Sequence, residues 1–183
     1  MKKWIALFML LPLMLCLAAC GGEEPAEEPA DDTPTQIVGE TYDAGNVSAF
    51  IPTGWKAFPV SDIWSEEANA MDPDQMNIIK GGETDFDILS KPYIQIVHYE
   101  PESMLTPTKE FYENAVDLEP VVSGALTWEG FSCEDFLGNP LTILWTTNAD
   151  GHQFQLNVFC KTAAGEFALT DADVLSILSS ITN

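Results

Sequence analysis

From Gly21 to Glu40 the chain reads GGEEPAEEPADDTPTQIVGE, with seven carboxylates (Glu23, Glu24, Glu27, Glu28, Asp31, Asp32, Glu40), three prolines (Pro25, Pro29, Pro34) and only scattered apolar side chains. A segment of this kind cannot bury enough surface to offset the entropy lost on ordering it. Proline and like-charge repulsion extend it instead, to about 3.1 Å per residue where it is polyproline-like. It therefore reads as a tether over 20–40. Everything able to pack is confined to 41–183, about the length of one ordinary domain.

Ahead of the tether stands MKKWIALFMLLPLMLC, in which Lys2 and Lys3 precede an apolar run from Trp4 to Ala19. This is the layout of a secretory signal over 1–19. The run has 16 residues and contains Pro12, whereas crossing a bilayer takes roughly 20. A retained transmembrane helix is the weaker reading. Leu17, Ala18, Ala19 and Cys20, followed by Gly21, resemble the lipobox of bacterial lipoproteins. That resemblance implies cleavage before Cys20 and a lipid, such as palmitate, on its sulfur and new amino terminus. The alternative is an ordinary signal with an A-x-A type cleavage site. A lipidated Cys20 would hold the domain at the cell membrane, facing away from the cytoplasm, while the tether stays in water.

Removal of the signal takes two lysines with it. Five lysines then face 29 acidic residues, with no arginine anywhere, so the mature chain carries −24. Nucleic acid is excluded as a partner, because phosphate contacts rest on Lys and Arg. Such a surface keeps a protein soluble.

Within the domain, VSAFI and WKAFP flank Pro52-Thr53-Gly54 and predict a hairpin. Residues 62–71 (DIWSEEANAM) fit a short helix, DPDQMN a turn, and GGETDFD a loop. PYIQIVHY alternates as a strand with Ile94, Ile96 and His98 on one face. Thr106-Pro107 is a helix start, and Phe111, Ala115 and Leu118 fall at i, i+4 and i+7. Three strands follow over 127–136, 141–147 and 153–160, separated by Gly-Asn-Pro and Asn-Ala-Asp-Gly turns. From Thr170 a helix begins, with Asp171 and Asp173 in its first turn and Val174, Ile177, Leu178 and Ile181 on one face.

A meander of those three strands sets Cys133 and Cys160 two strand spacings apart, about 9–10 Å, and several residues out of register. A disulfide spans Cα atoms no more than about 7 Å apart. Two buried free thiols are expected, although an extracytoplasmic address would favour a bridge.

The order of IPTGW, strand, helix, WEGFSCEDF, two-stranded meander and DVLSILSSI resembles the PsbP-like fold, over roughly 42–183. The resemblance implies an α/β (α+β) domain, an antiparallel sheet flanked by helices in an α/β/α sandwich. It further implies a protein-binding role with no shared catalytic centre, and no functional residue carries across.

Chemistry is sparsely marked. No G-x-S-x-G turn is present. His98 reads as a hydrogen-bonded core histidine and His152 as solvent-facing. A zinc site from His98, Cys133 and Cys160 lacks any supporting spacing. Asp72, Asp74 and Asn77, and then Glu83, Asp85 and Asp87, offer oxygen ligands for calcium but depart from the EF-hand pattern. Of the tryptophans, Trp55 and Trp128 read as core, and an exposed pair among Trp55, Trp64, Trp128 and Trp145 would suit a sugar or a partner loop. The sequence thus points to a lipid-anchored, non-enzymatic binding or accessory module with a protein partner. It assigns no catalytic, cofactor or metal residue. Calcium-dependent binding is the second reading and a cell-envelope hydrolase the third.

Overall fold

The computed structural model describes residues 36–103 and 106–183; the expected signal peptide, the expected lipid site Cys20 and the expected tether as far as residue 35 lie outside them. Strands β1 (Gly39–Asp43) and β2 (Ser48–Pro52) form a small antiparallel sheet. Gly39 and Glu40, counted with the tether on composition, are thus strand residues. The large sheet contains β3 (Trp55–Ser61), β4 (Met71–Lys80), β5 (Tyr93–Tyr99), β6 (Glu113–Asp117), β7 (Val121–Ser123), β8 (Leu126–Glu134), β9 (Pro140–Thr147) and β10 (Gln153–Phe159). Its order is β3-β4-β5-β10-β9-β8-β6, with β7 also pairing β8, and every pairing is antiparallel. Two three-stranded meanders therefore meet at the β5–β10 seam. A short ribbon, β11 (Lys161–Thr162) and β12 (Gly165–Glu166), leads to the helix α1 (Ala172–Ser180). The fold is α+β, built mainly of antiparallel sheet.

One face of the large sheet is the core. Met76 and Ile78 of β4, Ile94 and Ile96 of β5, Phe154, Leu156 and Val158 of β10, Leu144 of β9 and Trp128 of β8 are all fully buried there. Helix α1 closes that face with Val174, Ile177, Leu178 and, just past its end, Ile181, the four positions its periodicity predicts. Polar contacts fix its alignment with β2, β7 and β3 as well. The Phe50 amide donates to Ser180 Oγ (2.8 Å), the Ser123 hydroxyl to the Leu175 carbonyl (2.6 Å) and the Trp55 indole N–H to Asp173 (3.3 Å).

Three expected elements differ. β2 does not pair with β3, because Thr53-Gly54, with Gly54 at φ 91°, turns the chain from the small sheet into the large one. Residues 62–70 form turns rather than a helix. Asp62 Oδ1 accepts from the amides of Trp64 (2.9 Å) and Ser65 (3.1 Å), and such side-chain bonds compete with helical ones. DPDQMN is strand, part of β4, with three residues bulged out between the pairs Val60–Asp72 and Pro59–Met76. Pro73, which has no N–H to give a ladder, occupies that bulge.

The helix expected over Phe111–Leu118 is a 3₁₀ turn (Lys109–Phe111) followed by β6. Tyr112, Ala115 and Leu118 are its half-buried positions, a spacing of three that imitates a helix. The cause is Asn114, left-handed at φ 55°. It adds one residue between the pairs Glu113–Glu134 and Val116–Ser132, and a bulge breaks the two-residue alternation of a strand. A further 3₁₀ turn, Asp85–Leu89, lies just past the GGET loop.

Cys133 and Cys160 are free thiols. Their register displacement is smaller than expected, since Cys133 lies opposite Leu141 while Val158 lies opposite Thr142. What separates them is the sheet itself. Cys133 packs with Phe131, Leu141 and Ile143 on one face and Cys160 against the core on the other. Burial, reinforced by Asp171, pushes the Cys160 thiol up to about 11. Burial, reinforced by Asp135, pushes the Tyr93 phenol up to about 12. Both groups are held neutral by the fold, so the stability they contribute is intact below their ordinary ionisation near pH 9 and 10 and is lost as pH rises through the folded values. The urea midpoint is expected to hold up to about pH 9 and fall steadily toward pH 12. Cys160→Ala should flatten the pH 9–11 part of that decline, and an equally steep limb in the variant would show the loss to come from elsewhere.

Candidate functional site

The second face of the large sheet is only partly covered. Phe131, Cys133, Leu141 and Ile143 form a small apolar cluster there, roofed by Tyr112 and Ala115 from the β6 segment. Beside it the roof ends and a cleft of about 480 Å³ opens. Its floor comes from alternate residues of β5 and β10, which face away from the core. Tyr93 and Phe159 stack there at 4.6 Å, and the Asn157 side-chain amide donates to Gln95 Oε1 (2.9 Å). Phe111, Tyr112 and Phe136 add further rings to its lining.

Two of these rings are costly to leave in water. Phe136 is 94% exposed and Phe111 86%, at the mouth of a cleft whose interior is already aromatic. Three carboxylates, Glu113, Glu134 and Asp135, join them, and among the described residues no lysine, arginine or histidine lines the space. Asp135 is held below the usual carboxylate range, first by the Asn139 side chain and then by backbone amides of the β8–β9 turn. It remains charged. Tyr93 and Tyr112 are pushed upward, mainly by burial, and remain neutral phenols. The cleft thus presents π faces, amides and fixed negative charge, a combination that attracts cations.

The histidines occupy the other face, at the opposite end of β5. His98 is 3% exposed, as its strand position predicts. Its Nδ1 lies 2.7 Å from Asp74 Oδ1 and its Nε2 lies 2.9 Å from Nδ1 of His152. His152 is accordingly not solvent-facing. The turn that carries it is closed by Asn148, whose side-chain oxygen accepts from the His152 amide (3.0 Å), and its ring stacks on that of His98 at 5.1 Å. The register explains the meeting. Gln75 pairs with Val97, which sets Asp74 across from His98, and His98 pairs with Phe154, two residues from His152 on the same face. Three strands supply one line of side chains, so no linear spacing records it.

The oxygen ligands weighed for calcium do not converge. Asp74 turns to His98 on the core face, whereas Asn77 alternates with the buried Met76 and Ile78 and points the other way. Asp72 accepts from the Asp74 amide (2.9 Å) and the Gln75 side chain (2.6 Å). In the second group, Asp87 Oδ2 accepts from the Glu83 and Thr84 amides and from Lys91 Nζ. Those bonds hold its carboxyl below the ordinary value. His98, Cys133 and Cys160 are likewise dispersed, with the two thiols on opposite faces. Trp55 and Trp128 are core, Trp145 lies at the edge of the aromatic cluster on the second face, and Trp64 stands 88% exposed on the 62–70 turns.

No known protein family matches this chain, and no curated protein is significantly similar to it.

Proposed function

We propose that this protein is a membrane-tethered, extracytoplasmic binding module without enzymatic activity, and that it captures an arginine- or lysine-bearing segment of a partner protein in the cleft of the second sheet face. The observation that carries this reading is the company the exposed rings keep. Phe111 and Phe136 share with Glu113, Glu134 and Asp135 a space that no basic residue lines among the described residues. A guanidinium could lie over the rings and pair with the rim carboxylates, while its methylenes fill the apolar part. Net charge supports the same polarity of partner, and the tether would present the cleft away from the bilayer. The likeness of IPTGW, WEGFSCEDF and DVLSILSSI to PsbP-like domains belongs to this proposal. An antiparallel sheet closed by a terminal helix suits it, although α1 is the one α-helix among the described residues and an α/β/α sandwich would need helices on both faces.

Binding of a short arginine peptide and of its citrulline isostere tests the reading. The arginine peptide is expected to bind saturably and at least tenfold more tightly. Phe136→Ala with Glu134→Gln should remove most of that difference, whereas Glu66→Gln with Glu67→Gln, on the 62–70 turns, should leave it in place. Equal loss in both double variants would mean that the peptide responds only to the overall charge.

A further inference from the structure

We propose that His98, His152 and Glu100 form a mononuclear site for a zinc-like divalent transition cation, with Asp74 orienting the first of these ligands. The chain has two histidines in 183 residues, and the fold brings their ring nitrogens to 2.9 Å. The Glu100 carboxylate reaches the same point, 3.7 Å from His152 Nδ1. One ligand atom from each of the three residues lies within 4.8 Å of the others.

The donor set selects the ion. Two imidazoles and one carboxylate suit zinc and its neighbours, and hard cations such as calcium take oxygen ligands instead. Two nitrogens bound tetrahedrally to zinc at about 2.0–2.1 Å stand about 3.3–3.4 Å apart. The present 2.9 Å separation is that of a hydrogen bond, so entry of the ion requires the rings to part by about half an ångström. His152 sits on a surface turn and can yield that distance. Three protein ligands would leave the fourth position of a tetrahedron to water, the open arrangement of exchangeable or reactive zinc.

Asp74 supplies the other half of the case. With His98 Nδ1–H donating to Asp74 Oδ1 at 2.7 Å, the unprotonated Nε2 is aimed at His152. A carboxylate behind a histidine is the usual support of a metal ligand, fixing its tautomer and ring plane. Asn46 in turn donates its side-chain amide to the same oxygen (3.0 Å). In the metal-free protein the His152 Nδ1–H fills the gap by donating to His98. Binding moves that proton to the outer Nε2 of His152 and puts the ion in its place, with no net change in protonation of the pair. This site and the aromatic cleft lie on opposite faces of the sheet and share no residue, so each stands or falls alone.

The test uses the full-length protein in detergent micelles, stripped with a chelator and titrated with zinc against a chromophoric competitor. One equivalent is expected to bind and to raise the melting midpoint, and cobalt should give the visible absorption of a tetrahedral site. His152→Ala should weaken zinc at least 100-fold and remove the cobalt band. Glu100→Gln, at an exposed position and so harmless to folding, should weaken zinc about tenfold. Asp74→Asn should weaken it about 10–100-fold. Nitrogen-15 spectra of the two imidazoles provide a readout independent of any variant, because both His98 Nε2 and His152 Nδ1 should shift on adding zinc. Absence of stoichiometric binding, unmoved imidazole signals, or equal affinity in the Glu100 and His152 variants would overturn the proposal.

Discussion

Cys20→Ala is expected to abolish incorporation of labelled fatty acid and with it the membrane attachment that the lipid gives. The effect is large because acyl chains bind membranes at about 0.8 kcal/mol per buried methylene. Ten methylenes alone would give about 8 kcal/mol, a partition ratio of roughly a million, and a lipoprotein cysteine carries two or three chains. Among the described residues no helix is long and apolar enough to cross a membrane, and the acidic surface would be repelled by anionic lipid. Cys16→Ala is the control. Cys16 lies within the apolar run that the signal peptidase would remove, so its loss should leave labelling intact. Label retained in Cys20→Ala, or a parent protein that is soluble without detergent, would refute the anchor.

Legibility of the fold in the sequence followed the range of the interactions. The 153–160 strand, PYIQIVHY and the terminal helix are regular elements with one buried side, and their periodicity survives into the structure unchanged. Where a bulge interrupts the period, the reading goes astray. Asn114 shifts β6 by one position and turns a strand pattern into an apparent helix, and the bulge at Pro73 hides six of the ten residues of β4 behind turn-like letters. Pairing partners are invisible for a different reason. IPTGW looks like a hairpin from inside, but β2 finds β1, whose first two residues, Gly39 and Glu40, were counted with the tether for their composition. The histidine site fails on the same ground: Asp74, His98 and His152 are separated by 24 and 54 residues and become neighbours only through strand order. The cleft was the least legible of all, because its cause is an absence, the point at which β6 stops covering the second face.

Trp128→Ala is expected to lower stability by about 3–5 kcal/mol, whereas Trp64→Ala should stay within about 0.5 kcal/mol of the parent. The two residues are chemically identical and differ only in where the fold puts them: Trp128 is fully buried in the main core and Trp64 is 88% exposed. Trp128 lies on β8, next to Gly130 in the core-facing series, and an added Cβ at Gly130 would stand 2.2 Å from the Ile143 carbonyl oxygen and 2.6 Å from Leu144 Cδ2. The neighbouring strand is thus already as close as a backbone can come. It cannot move inward to fill the space an indole leaves, so the cavity persists and its cost is added to the lost transfer free energy. The Trp128 indole N–H has no hydrogen-bond partner among the described residues, so Trp128→Phe should cost less than the change in ring size alone suggests. For a unit of this size about 3 °C is lost per kcal/mol, which places the melting midpoint of Trp128→Ala roughly 10–15 °C below that of the parent. A Trp128→Ala midpoint within 3 °C of the parent, about the loss of a single kcal/mol, would show that the face of the sheet under α1 repacks freely and is not the rigid layer on which both binding sites depend.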